Sequence, residues 1–435
     1  MFASGPAILS ALFLIQAEAQ FEAGARIETR VGQTPAGSTQ PTPSIPTGQP
    51  FTVPVPVEQT QVIVVATPLL SIGWLADVDD LRASSATRIL WRPVPFLDRR
   101  PLFLELLEAT HSRRLTKRCN WQLNIRGSYG EQDYSSLQQQ LPNQPSLPTA
   151  TTMLMIDATA SISWRGSRRM ALNLRLGAMH RRSFDTQTVT NVTAGTETIP
   201  MLPTQTTVTA GPGLTYALSS RSTVEASAAI ADTDSKGFLL PAGQIGMLNM
   251  LSIQPQVGIR TDLTQGHRLH LAGGFAYAIA LRQSTNQSLL PIYPLLNVGL
   301  ESILQRTRTI VVRSSLGTGT AIFVDPVLGG VFLRGVVQAS VDAQLGAWSV
   351  GARGAFATDI SGRLSAVGNV FPDETAVSAE IPVRYRSSRH MIIEFGGRYT
   401  ERAPALGTAG FSWHNRELWM FLNLTAASRP ASTRS

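Results

Sequence analysis

The chain has 435 residues, a formal net charge of +8, 43% hydrophobic residues and only 15% charged ones, with a mean hydropathy of +0.04. That charge content is low for a soluble protein, yet no apolar stretch beyond the N-terminus is long enough for a transmembrane helix, which excludes a helical membrane protein. Arginine supplies nearly all the positive charge, since Lys117 and Lys236 are the only lysines; scattered evenly and without a recognition motif, it does not mark a nucleic-acid interface.

At the N-terminus a short apolar core, Ala7 to Ile15, is followed by Ala17-Glu-Ala19. An apolar core ended by small residues at alternate positions reads as a secretory signal, so residues 1–19 are expected to be a signal peptide cut after Ala19. Residues 20–67 come next, rich in Pro, Thr, Gly and Gln and ending in the alternating valine-proline run Phe51 to Val57. Too little apolar content to offset chain entropy implies an extended periplasmic tether there.

From about residue 68 to 426 the chain repeats one phrase, ten or more residues alternating apolar and polar and then a connection. A period of two means strand. In Trp121 to Tyr129 the odd positions are Trp, Leu, Ile, Gly and Tyr, against Gln122, Asn124, Arg126 and Ser128. Leu154 to Trp164 divides in the same way, as do Leu172, Leu174 and Leu176 against Asn173 and Arg175. Such runs begin near residues 69, 101, 119, 152, 169, 206, 222, 247, 267, 292, 307, 331, 346, 375, 390 and 414. They predict an all-β fold, a closed antiparallel transmembrane β-barrel of about sixteen strands, within a range of roughly 14 to 18. A run of this length suits the ~9 to 11 residues that cross a bilayer at a tilt.

The connections alternate between short ones, such as 165–168, 219–222, 305–307 and 345–347, and long ones, such as 82–100, 131–150, 185–205, 359–374 and 401–412. Short periplasmic turns and long extracellular loops would place both chain ends in the periplasm. Trp121, Trp164, Trp348 and Trp419 fall near the expected periplasmic ends, and Tyr129, Phe275, Tyr277, Phe356 and Tyr399 near the outer ends, as girdles do. On these runs, turns and aromatics the chain resembles the bacterial outer-membrane β-barrel class. It departs from the class at its end, where Glu417 to Leu424 is followed by a polar tail, residues 427–435.

No enzyme constellation emerges. The six histidines lack metal spacing, phosphate-loop and nucleophile-elbow motifs are absent, and the lone Cys119 offers neither an intrachain disulfide nor a cysteine zinc site. No catalytic residue, metal or cofactor is therefore expected; His111 beside Ser112 is the weak pair that keeps a rim-site enzyme among the alternatives.

Carried through the runs, alternation points Arg126, Arg175, Arg260, Arg313, Arg334, Arg353, Arg384 and Arg398 inward, with Asp77, Asp79, Asp157, Glu225, Glu301, Asp342, Glu380 and Glu394. Glu108 breaks parity after Glu105 and calls for a bulge or a strand end. These charges either tie the wall together as ion pairs or line a water-filled passage, and a barrel of this width favours the passage. The expected role is solute diffusion or export across the outer membrane, in contact with its lipids. Overall form also resembles the barrel component of composite polysaccharide exporters, which implies a periplasmic exporter partner; a structural or adhesive surface barrel is the alternative. The sequence leaves the solute and the oligomeric state open.

Overall fold

The computed structural model describes residues 18–427, apart from 36–57, 77, 95–99, 134–149, 192–194, 240–244, 284–287, 290, 308, 325–330, 362, 365–373 and 405–414. Eighteen strands form one antiparallel sheet. In chain order they are β1 Glu18–Pro35, β2 Glu58–Leu75, β3 Asp79–Val94, β4 Leu102–Thr116, β5 Cys119–Asp133 and β6 Ala150–Arg165. Then follow β7 Met170–Ser183, β8 Thr204–Ala217, β9 Ser222–Leu239, β10 Ile245–Thr264, β11 His267–Gln283 and β12 Ile292–Arg306. The last six are β13 Ile310–Val324, β14 Val331–Leu345, β15 Trp348–Ser361, β16 Glu374–Arg386, β17 Met391–Pro404 and β18 Asn415–Ala427. Each pairs with its sequence neighbours, and β1 also pairs with β18 from Glu22 opposite Ala427 to Gln33 opposite Arg416. That last pairing closes the barrel.

Cross-strand partners share a face, so the register sorts every side chain. One face carries Phe21, Ile27, Leu70, Ile72, Leu107, Leu174, Leu176, Val257, Leu271, Leu316, Ile381 and Met420, all large, apolar and exposed. The other carries most of the ion pairs. Apolar atoms left uncovered over a whole closed sheet need a nonaqueous surround, and strands of 13 to 20 residues are long enough to span one. The wall is thus membrane-spanning, with a polar lumen. At the short-turn end the outward Trp348 and Tyr385 pack with ring centroids 4.4 Å apart, and the turn between β14 and β15 holds Gly346 at φ +63°, a conformation glycine adopts without steric cost.

The sequence reading differs from this architecture in definite places. Residues 20–67, expected as a tether, contain most of β1 and the first half of β2. The connection expected at 82–100 is largely β3. Together β1 and β3 account for the step from sixteen strands to eighteen. β3 escapes the alternation because its outward positions at mid-strand are Ser85 and Thr87, which match its inward Ser84 and Arg88 in polarity. β1 lies hidden in a stretch whose average composition is set by the prolines and threonines after it. The expected connection at 185–205 carries a small hairpin, Thr186–Asn191 with Gly195–Pro200. The expected signal segment lies outside the described residues up to residue 17; Glu18 and Ala19, bracketing part of the expected cut, are the first residues of β1. Residues 428–435 of the expected tail lie outside them too.

Lipid-facing arginine costs ~2 to 4 kcal/mol at mid-depth, whereas lumenal arginine is solvated. Leu174→Arg and Ile27→Arg should therefore abolish the heat-modifiable mobility of refolded protein on a gel, while Asn173→Arg should retain it. Ile27 tests β1 in particular, because the same change in a tether would have no effect.

Candidate functional site

The lumen is the one place where chemistry converges. Arg126 faces Glu108 on one side and Asp157 on the other, with Nε 3.0 Å from Glu108 Oε1. Arg260 lies 3.4 Å from Glu225, which His270 also approaches at 3.9 Å. Arg268 joins Asp262 at 2.8 Å and Glu301 at 3.8 Å. Arg334 grips Asp359 through Nε and Nη2, both at 2.6 Å. Arg353 bridges Asp342 at 3.6 Å and Glu380 at 3.7 Å, and Arg384 meets Glu394 at 3.2 Å. Most of these groups are half exposed, so each pair adds little to stability, about 1 kcal/mol or less. Their effect is a hydrated, charged inner wall.

Three of the arginines named from the sequence, Arg175, Arg313 and Arg398, have no carboxylate partner among the described residues. Arg313 sits opposite Asp342 and Arg398 opposite Glu380, but both carboxylates are engaged by Arg353.

Three of the named residues need correction, and a fourth cannot be placed. Asp79 shares the outer face with Leu81 at the short-turn end, 3.5 Å from both His111 and Arg113. Asp77 lies outside the described residues. Glu108 needs no bulge: it points inward to Arg126, and Glu105 is the outward one, accepting a hydrogen bond from Thr87 at 2.9 Å. Trp419 is not in a girdle at the short-turn end; it lies in the half of β18 nearer the long connections, is 8% exposed and faces the lumen.

Around Trp419 stands a cluster that the sequence reading missed because β1 supplies half of it. Arg30 donates to Glu417 at 3.1 Å, and their side chains are 7% and 11% exposed. The Trp419 indole N–H donates to the other Glu417 oxygen at 3.0 Å. Guanidinium groups of Arg30 and Arg398 lie 5.4 and 4.9 Å from the Trp419 rings. Farther down β1, Arg26 pairs with Glu28 at 2.7 Å and covers Phe421 at 4.8 Å. The signal was present in β1, where Phe21, Ala23, Ala25 and Ile27 alternate with Glu22, Gly24, Arg26 and Glu28.

Toward the long-connection end the lumen narrows. At the facing ends of β13 and β14, Val324, Val331 and Phe332 are all buried although they do not share a parity, and Phe323 stacks on Phe332 at 5.8 Å. Both faces of this hairpin are covered, so its end turns in over the lumen. Gln205 of β8, which is no sheet neighbour, donates to the Val324 carbonyl at 3.4 Å. Inward Leu248, Met250, Ala276, Ala278, Tyr293 and Leu295 form one apolar core with Val324 and Val331.

The fold and site define a class: a closed, membrane-spanning β-barrel with a charged lumen and one constricted end. Neither a family pattern nor a curated protein matches the sequence. Solved structures of similar fold include the copper transporter OprC, with 10% identity, a TM-score of 0.46, and coverage of 94% of this chain and 80% of that one. A variant of the ferric enterobactin receptor PfeA of Pseudomonas aeruginosa in complex with enterobactin gives 9%, 0.44, 95% and 82%. Pseudomonas aeruginosa OpdQ gives 9%, 0.42, 95% and 98%. These are likenesses of overall fold.

Removing one member of a buried ion pair strands the other charge, a loss of about 3 to 5 kcal/mol. Glu417→Ala should lower the unfolding free energy by about 3 kcal/mol in urea titrations of the micelle-folded barrel. Asp262→Ala, at an exposed pair, should cost about 1 kcal/mol or less.

Proposed function

We propose that this chain is a bacterial outer-membrane barrel that lets small polar solutes cross through its lumen. The observation that carries this reading is the charged, largely exposed inner wall enclosed by a sheet of eighteen strands. Eight strands are filled by their own side chains, whereas sixteen to eighteen leave an aqueous channel. Orientation follows the class, with the short turns and both chain ends toward the periplasm. The inturned end of β13 and β14 favours small solutes over export of a polysaccharide handed on by a periplasmic partner, because a polymer needs a continuously wide path.

Planar-bilayer recordings test this. The folded protein should conduct ions, and a demonstrably folded barrel that is electrically silent at low salt would overturn the passage. Arg175→Ser with Arg313→Ser removes two lumenal charges that no carboxylate among the described residues balances, so reversal potentials should shift toward cation preference. The shift should be larger at low ionic strength, since the Debye length is about 8 Å at physiological salt and about 30 Å at 0.01 M. Phe323→Ser with Phe332→Ser should raise conductance with little change in selectivity.

A further inference from the structure

Arg398 is a lumenal arginine with no carboxylate partner among the described residues. Its Nε is buried with no hydrogen-bond partner, and the cross-strand Glu380 is taken by Arg353. On the other side, Glu417 is already engaged by Arg30, the Trp419 indole and, at 3.5 Å, Thr400. The Trp419 ring lies 4.9 Å from the guanidinium carbon and favours this position of the side chain.

Two adjoining hollows in the inner wall share Arg398. One, of about 420 Å³, lies against Ala355, Ala376, Ser378, Thr400 and Trp419. The other, of about 300 Å³, lies against Gln338, Ser340, Arg353 and Glu380. Hollows of this size accommodate a small organic ligand. They exist because the inward positions beside Arg398 on β15 and β16 carry Ala355, Ala357, Ala376 and Ser378, too short to fill the space that longer side chains take elsewhere on the wall.

We infer that these hollows form a binding subsite in which Arg398 receives the carboxylate of a small hydroxylated solute, such as a sugar acid. The inference rests on the reading of the lumen as a passage and names the class of solute it selects. A planar guanidinium with a free edge matches a carboxylate in two parallel hydrogen bonds. With no carboxylate among the described residues to pair with, the guanidinium gains a charge-assisted hydrogen bond to the solute's carboxylate at its lumen-facing nitrogens. Ser378, Ser340 and Gln338 supply hydroxyl and amide groups for the rest of the solute. The neighbouring Glu380, held by Arg353, opposes a second negative charge close by and so favours a monoanion.

Calorimetric titration of the full chain, folded in detergent micelles, tests the subsite with glucuronate and glucose as probes. Glucuronate should bind saturably and glucose should not. Arg398→Gln should weaken glucuronate binding about tenfold or more, the usual loss for a charge-assisted contact. Arg398→Lys keeps the charge without the two-pronged edge and should recover only part of it. Arg221→Gln, in the exposed turn between β8 and β9, should bind as the wild type does. Heat-modifiable mobility confirms folding of each variant. Equal binding of the two sugars, no binding of glucuronate, or wild-type affinity in Arg398→Gln would overturn the subsite. Bilayer conductance separates the two ideas: conductance without glucuronate binding leaves the passage standing and removes the subsite, and binding without conductance does the reverse.

Discussion

The whole structure depends on the hydrogen-bonded seam between β1 and β18. In hydrocarbon an unpaired backbone N–H or C=O has no water to turn to, so an open sheet edge is not a viable state for a spanning wall. Closure satisfies both edges at once, and only then can the outward faces be uniformly apolar. The seam runs for a dozen residue pairs, from Glu22 to Gln33 on β1. The buried Arg30–Glu417 pair lies across this same seam, with Trp419 beside it. Its desolvation cost makes it a poor source of net stability, but it is a strong specifier of register, because a slip of one residue between the two strands would turn one charge toward lipid and leave the other buried and unpaired.

Elsewhere in the lumen the ion pairs have a different character. Arg126, Arg268, Arg353 and Arg384 lie half in solvent with carboxylates on neighbouring strands. Exposed pairs of this kind contribute little to folding, and they leave the wall hydrated and polar, with fields of both signs. The unmatched arginines then tip the balance. Against a background of compensated charges, a few guanidinium groups without carboxylate partners among the described residues leave the inner wall locally positive.

Much of this was legible in the sequence, for a physical reason. A barrel wall is read by parity alone, so strands such as β5, β6 and β7, with bulky residues on one face and polar ones on the other, declare both their existence and their orientation. Counting in twos puts Arg126, Arg175, Asp157 and Glu225 on one face, and the register sets them on the face that carries most of the ion pairs. The method failed where parity carries little contrast. β3 exposes Ser85 and Thr87 to the outside, and β1 mixes alanines with charges beside a segment of prolines. Asp79 was misplaced because parity was carried into a strand start that had not been recognised. What no local pattern could reveal is the Trp419 cluster, since it joins the first strand to the last, nearly 400 residues apart in the chain.

The inturned end of β13 and β14 gives the passage two mechanically different parts. The cylinder is a continuous ladder whose deformation would break many backbone hydrogen bonds together. The constriction rests on a stacked Phe323–Phe332 pair, a patch of apolar contact and one bond from Gln205 to a carbonyl. Each of these contacts is weak and reversible, and none belongs to the seam that holds the barrel shut. The aperture can therefore fluctuate without loosening the wall: current through a single barrel would flicker between levels on the timescale of side-chain and hairpin motion, while the protein around it stayed as rigid as before.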